Sequence, residues 1–179
     1  LIKKFDSEGN FIKSWGGWGS TNGKFKYALR IATDADDNVY VTDYMNNRIQ
    51  KFDNDGNFMR SYNASGRLSY PDSLEIDKST GNIYSSKRNQ YIVMQDQEGR
   101  LKTEVNNYVI SGWASYPFGL SVHGDYIYIA NAYRKTFARY PKDLAGGINN
   151  PVVQGVNKWS TSGWAWDVKV SDSGVYVAN

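Results

Sequence analysis

Short runs in which apolar and polar residues alternate, each closed by a cluster of Gly, Asn or Asp, follow one another along the chain. LRIAT, NVYVTD, RIQKFD and NFMRSY succeed each other in this way between residues 29 and 62. Alternation with a period of two puts successive side chains on opposite faces of a pleated strand, so each run predicts a half-buried strand. The turn residues between them predict antiparallel hairpins. No segment sustains the periodicity of a helix.

The pattern itself repeats. NVYVT (38–42), NIYSS (82–86), YIYIA (126–130) and GVYVA (174–178) align on Tyr40, Tyr84, Tyr128 and Tyr176, at spacings of 44, 44 and 48 residues. Upstream of each, Ala28, Pro71, Pro117 and Ala165 precede a second apolar run, and Asp6, Asp53 and Asp96 are each followed three residues later by a glycine. Four strands per period, a to d, predict propeller blades, because one twisted sheet cannot bury both faces without neighbours packed radially beside it. The fold class expected is therefore all-β, a single propeller domain or segment over residues 1–179. Its register runs strands c and d over 1–15, full blades over 28–62, 71–107 and 117–153, and strands a and b over 165–179. The two half-blades either complete each other in a four-bladed ring or belong to a larger ring.

YALRIATDADDNVYVTDYMNNRIQKFDNDGNF, the first full period, resembles an NHL repeat: a small residue or Pro, an apolar strand ending in Asp, YVxD, then NxRIxxFxxxG. The second period, with KRNQYIVM in place of RIQKF, resembles it less, and the later periods depart further. The resemblance implies a β-propeller, commonly six-bladed, that binds RNA, proteins or other ligands, with a few enzymes among its relatives. Six blades at this repeat length need on the order of 270 residues, which favours a segment of a larger ring.

KFDSEGNF (4–11) and KFDNDGNF (51–58) look like twin calcium loops. An EF-hand, however, needs glycine at position six and glutamate at position twelve, and counting from Asp53 those places hold Phe58 and Ala64. The octets read better as hairpin turns between strands c and d, and DADDN (34–38) as a turn between a and b. No metal site is expected.

Antiparallel order puts the a–b and c–d turns on one edge of the disc and the b–c and d–a connections on the other. Thirteen carboxylates against two lysines fall on the first edge; nine cations against one aspartate fall on the second. A net charge of +3 hides this polarity. Aromatic residues, Tyr44, Tyr70 and Trp164 among them, gather on the basic edge, and cations beside aromatic rings suit anionic polymers. The candidate binding residues are Trp18, Lys24, Lys26, Arg67, Lys87, Arg88, Trp113, Tyr133, Arg134, Lys135, Lys158 and Trp159. Gly-Trp recurs in register at 17–18, 112–113 and 163–164, which equally suits packing between blades for Trp113 and Trp164. Arg48, the arginine of NxRI, suits a structural donor.

The sole histidine, His123, falls in an a–b turn (HGD) and reads as a solvated turn residue. Amidating and streptogramin lyases, which resemble this fold, rely on histidines that these residues lack, so no catalytic constellation and no cofactor are expected. The chain has no cysteine, which excludes disulfides and thiolate metal sites. No apolar run is long enough for a membrane helix. The chain begins at Leu1 rather than Met, which leaves room for a removed targeting segment. The one sequon, NAS at Asn63, makes that residue a glycosylation candidate and favours an extracytoplasmic or cell-surface setting. The expectation is a non-catalytic recognition or scaffold propeller that binds a protein or an acidic glycan. RNA binding, and a lyase or lactonase whose catalytic residues lie outside this chain, are the alternatives.

Overall fold

A computed structural model describes residues 1–87, 91–106, 117–132, 135–144 and 157–179. Strands β1 (Ile2–Phe5) and β2 (Phe11–Trp15) form a hairpin sheet. Strands β3 (Ala28–Thr33), β4 (Val39–Asp43), β5 (Arg48–Phe52) and β6 (Phe58–Tyr62) form a four-stranded meander, as do β7 (Glu75–Ile76), β8 (Ile83–Lys87), β9 (Tyr91–Gln95) and β10 (Leu101–Asn106). A third meander contains β11 (Pro117–His123), β12 (Tyr126–Asn131), β13 (Thr136–Pro141) and β14 (Asn157–Ser160), and β15 (Asp167–Ser171) pairs with β16 (Gly174–Ala178). All these pairings are antiparallel. The fold is an all-β propeller arrangement, with three complete blades between two half-blades. The half-blades remain separate two-stranded sheets, unpaired with each other among the described residues.

One apolar cluster lies at each junction between successive sheets. Ile2 meets Phe25, Val41 and Phe52; Tyr40, Ile49 and Tyr62 meet Leu74, Ile76 and Ile83; Tyr84, Ile92 and Met94 meet Leu120, Ile127 and Tyr140; Tyr128 and Ala130 meet Val168. The period-two pattern thus buries both faces of the middle blades, with sheet packed on sheet. The recurrent tyrosine of strand b, Tyr40, Tyr84 or Tyr128, packs into the junction between its own blade and the next. Tyr40 donates its hydroxyl hydrogen to Asp34 Oδ2 at 3.2 Å, and Tyr84 donates to the carbonyl of Lys142, in the next blade, at 2.6 Å. Burial pushes the Tyr84 hydroxyl up to about 12.

In the octets, Asp6 Oδ1 accepts the backbone N–H groups of Glu8 and Asn10, and Asp53 Oδ1 those of Asp55 and Asn57. Asp96 repeats the arrangement with Glu98 and Arg100. Gly56 sits at φ 79°, where a side chain would be strained. These carboxylates close hairpin turns, as their residue order suggested.

The DADDN turn is held in the same way, and more tightly. Asp34 accepts the backbone N–H groups of Asp36 and Asn38 and faces the Lys51 ammonium at 2.9 Å. Burial works against ionisation here, but the Asn38 hydrogen bonds and Lys51 outweigh it and hold the carboxyl at about 2, below its ordinary 3.8. Because the folded value lies below the unfolded one, this stabilisation is complete above about pH 4 and is lost as the pH falls through about 2. Asp34→Asn is expected to flatten the acid-side loss of unfolding free energy by about 2 kcal/mol. Denaturant titrations at a series of acid pH values measure this; identical slopes for variant and parent would refute it.

The third blade departs from the expected register. Its strand d lies at Asn157–Ser160, beyond residue 153, because the link from β13 is longer than in the other blades. Lys158 and Trp159, assigned from sequence to a connection, therefore stand on a strand. Trp159 lies opposite Phe137 in the β13–β14 ladder and stacks on its ring at 4.8 Å.

Candidate functional site

The b–c connection of the first blade is a short 3-10 turn, Tyr44–Asn46, that ends in the left-handed residue Asn47. Its neighbours are the d–a connections on either side. The Tyr44 N–H donates to the Tyr27 carbonyl at 2.9 Å, and the Asn46 side-chain amide donates to the Gly19 carbonyl at 3.0 Å. From the other side, Asn47 Oδ1 accepts the Tyr70 N–H at 2.9 Å. Tyr70 itself has φ 46°, uncommon and costly for an aromatic residue, and that conformation is fixed by this bond.

These links build a row of rings. The centroids of Tyr27 and Tyr44 lie 6.1 Å apart, and those of Tyr44 and Tyr70 lie 5.2 Å apart. Tyr27 is 56% exposed, and Trp18, on the neighbouring glycine-rich loop, is 77% exposed. Lys24 and Lys26 belong to the same segment, and the Lys24 ammonium donates to the Gly16 carbonyl at 3.0 Å. The strip thus combines an aromatic row, exposed at its Tyr27 end, with two lysines.

Beneath the strip lies the group that shapes it. Asp43, fully buried at the end of β4, accepts the Lys26 N–H at 2.9 Å, the Asn46 amide at 2.8 Å and Arg48 Nε at 2.8 Å. Arg48 Nη2 donates to the carbonyls of Thr21 and Lys24, both at 2.9 Å. Arg48 is therefore a clamp on the strip's backbone rather than part of its surface.

A second aromatic group, Phe118, Trp166 and Trp164, belongs to the same edge, with centroid separations of 5.2 and 5.6 Å along the chain of rings. Phe118 also lines a cavity of about 350 Å³ with Leu29, Arg30, Asp167 and Lys169, at the axial mouth of the inner strands. Tyr27, Phe118 and Trp166 were not singled out from sequence. The signal for Tyr27 was its place immediately before strand a, within the basic segment KFKY.

The other candidate residues fare unequally. Lys87 pairs with buried Glu104 and lies 4.3 Å over the Tyr91 ring, while Arg67 stands 3.8 Å from the same carboxylate. Lys87 is thus tied into the second blade and withdrawn from the surface charge expected of it. Lys135 is exposed, at φ 53°, in the turn before β13. Asn63 is exposed in the turn after β6. Arg88, Trp113, Tyr133 and Arg134 lie outside the described residues. His123, expected as a solvated turn residue, ends β11 half-buried, with Nε2 3.3 Å from Asp172 Oδ1.

Residues 25–52, which include Tyr27, Tyr44 and Asp43, match the NHL repeat. No curated protein is similar enough in sequence to count as a relative. Among solved structures, virginiamycin B lyase from Staphylococcus aureus superimposes with a TM-score of 0.71 at 15% identity, over 98% of this chain and 55% of that one. A catalytically inactive histidine-to-alanine variant of that enzyme with quinupristin gives 0.69 at 14% identity, over 98% and 55%. Hydrazine synthase from Kuenenia stuttgartiensis gives 0.66 at 11%, over 89% and 44%. At such identity the likeness shows the propeller fold. The chain spans about half the length of the lyase structures it matches. These matches correct one expectation: the propellers that this chain superimposes on include enzymes, so a missing histidine constellation is no ground for calling it non-catalytic.

Proposed function

We propose that this chain is part of a β-propeller that recognises an acidic glycan through the aromatic strip of the first blade. The observation that supports this reading is the row Tyr27, Tyr44 and Tyr70, exposed at Tyr27 and half-buried at the other two, positioned by Asp43 and Asn47 with Lys24 and Lys26 on the same segment as Tyr27. Sugar rings carry apolar faces that lie against aromatic rings, while uronate carboxylates meet ammonium groups. RNA binding draws on many free cations, and among the described residues of this edge Arg48 and Lys87 are held by Asp43 and Glu104. A glycan ligand also goes with an extracytoplasmic setting, as does the exposed sequon at Asn63. Capture of the polymer at this edge leaves room for chemistry elsewhere in the molecule.

Calorimetric titration with an oligogalacturonate is expected to show saturable binding that weakens about tenfold between roughly 0.05 and 0.2 M salt, the screening of two lysines. A fall of roughly a thousandfold would instead mark many ionic contacts and favour RNA. Absence of saturable binding would remove the proposal.

A further inference from the structure

Strands β3, β7, β11 and β15 also line a larger cavity, of about 720 Å³, at the ends of these strands away from the aromatic strip. Its volume is that of a small-molecule site. Its lining holds three carboxylates, Glu75, Asp77 and Asp125, against three lysines, Lys78, Lys142 and Lys169, so its formal charge is balanced. Two of these pairs are made directly. Lys169 Nζ, from β15, spans β11 to reach Glu75 Oε2 of β7 at 2.9 Å, and it also donates to the Leu120 carbonyl at 3.4 Å. Lys142 Nζ lies 3.1 Å from Asp77 Oδ2.

We propose that this cavity binds a small zwitterion, such as a free amino acid or short peptide, whose ammonium and carboxylate groups insert between Glu75 and Lys169. The argument is one of charge. Glu75 has 20% of its side chain exposed and Lys169 has 60%, so separating the pair leaves one charge poorly solvated. A simple anion recruited by Lys169 strands the largely buried Glu75 carboxylate, at the cost of breaking a buried pair; a simple cation recruited by Glu75 displaces an ammonium that still meets solvent, and leaves it without the partner it had. A molecule with both charges replaces both partners and strands neither. Burial raises the Glu75 carboxyl above its usual range, an effect that Lys169 offsets only in part, so the carboxylate gains from any partner that keeps it paired. Asp77 and Lys142, whose carboxylate and ammonium line the same space, offer a second neutral pair for the far end of a peptide.

The test uses dialanine, which carries both charges, N-acetyl-dialanine, which keeps only the carboxylate, and dialanine amide, which keeps only the ammonium. Calorimetry on the parent chain is expected to give dialanine at least about tenfold tighter binding than either blocked form. Glu75→Gln leaves Lys169 unopposed and is expected to shift the preference to N-acetyl-dialanine; Lys169→Met is expected to shift it to the amide. Each variant's thermal midpoint shows whether the fold is kept, and the double variant Glu75→Gln with Lys169→Met, neutral again, is expected to discriminate among the three weakly or not at all. Equal binding of all three by the parent, no saturable binding of dialanine, or an unchanged order of preference in both folded single variants would overturn the proposal.

Discussion

Replacing Asp43 with alanine is expected to lower stability by about 3–5 kcal/mol, the cost of stranding a charge in a buried pair. The midpoint of thermal unfolding should fall by roughly 6–20 °C for a chain of this size. The carboxylate is fully buried and accepts from Lys26 N–H, the Asn46 amide, Arg48 Nε and, at 3.3 Å, Gln50 Nε2. Arg48, with only 12% of its side chain exposed, would be left with no counter-charge. Asp43→Asn keeps the shape but turns an N–H₂ group towards donors, so it should recover little of the loss. Asp43→Ala combined with Arg48→Met removes both charges and should recover a substantial part. A single-variant midpoint within about 2 °C of the parent would contradict this account. Because Asp43 fixes the backbone on which Tyr27 and Lys26 stand, the folded fraction of the variant should also lose the edge's ligand.

Gly119→Ala is expected to be the most damaging change of a single methyl group. A Cβ at this position would lie 2.5 Å from the Asp167 Cα and 2.6 Å from the Val168 nitrogen, and backbone at that distance cannot swing aside as a flexible side chain can. Strand β11 would have to retreat from β15 and pull apart the cluster that Val168 forms with Tyr128 and Ala130. Overpacking of this kind costs about 3 kcal/mol, at the upper end of its usual range. The same retreat moves Lys169 away from the Leu120 carbonyl and Glu75, so the ion pair that passes over β11 should loosen too. Chemical denaturation reports the stability loss, and an unchanged midpoint would mean that the two inner strands are not so closely packed.

The blades were readable because their determinants are local. Alternation needs only neighbours in sequence, and Tyr40, Tyr84 and Tyr128 recur at the same place in strand b because each packs into the same kind of junction. The Asp-x-x-Gly turns were readable for the same reason: Asp53 binds N–H groups two and four residues ahead. What sequence could not show was partnership across blades. By sequence Lys87 reads as a free cation, because nothing local shows that Glu104, two strands away in the same sheet, holds it. Glu75 and Lys169 stand 94 residues apart, and nothing local announces that Lys169 crosses β11 to reach the carboxylate. Trp159 was misplaced because a constant period cannot register one longer link. The aromatic row is half-legible in the sequence, with Tyr44 and Tyr70 on the edge where the structure places them, while Tyr27, just before strand a, carries no such signal.

Whether that row binds the ligand is decided by titrating an oligogalacturonate into the parent chain, the double variant Trp18→Ala with Tyr27→Ala, and Tyr176→Ala. All three side chains are more than half exposed, so the thermal midpoints should stay together. The strip variant is expected to bind about thirtyfold more weakly or worse, the loss of a central aromatic anchor, while Tyr176→Ala binds as the parent does. Equal affinity of the strip variant and the parent would contradict the assignment of the glycan to this edge.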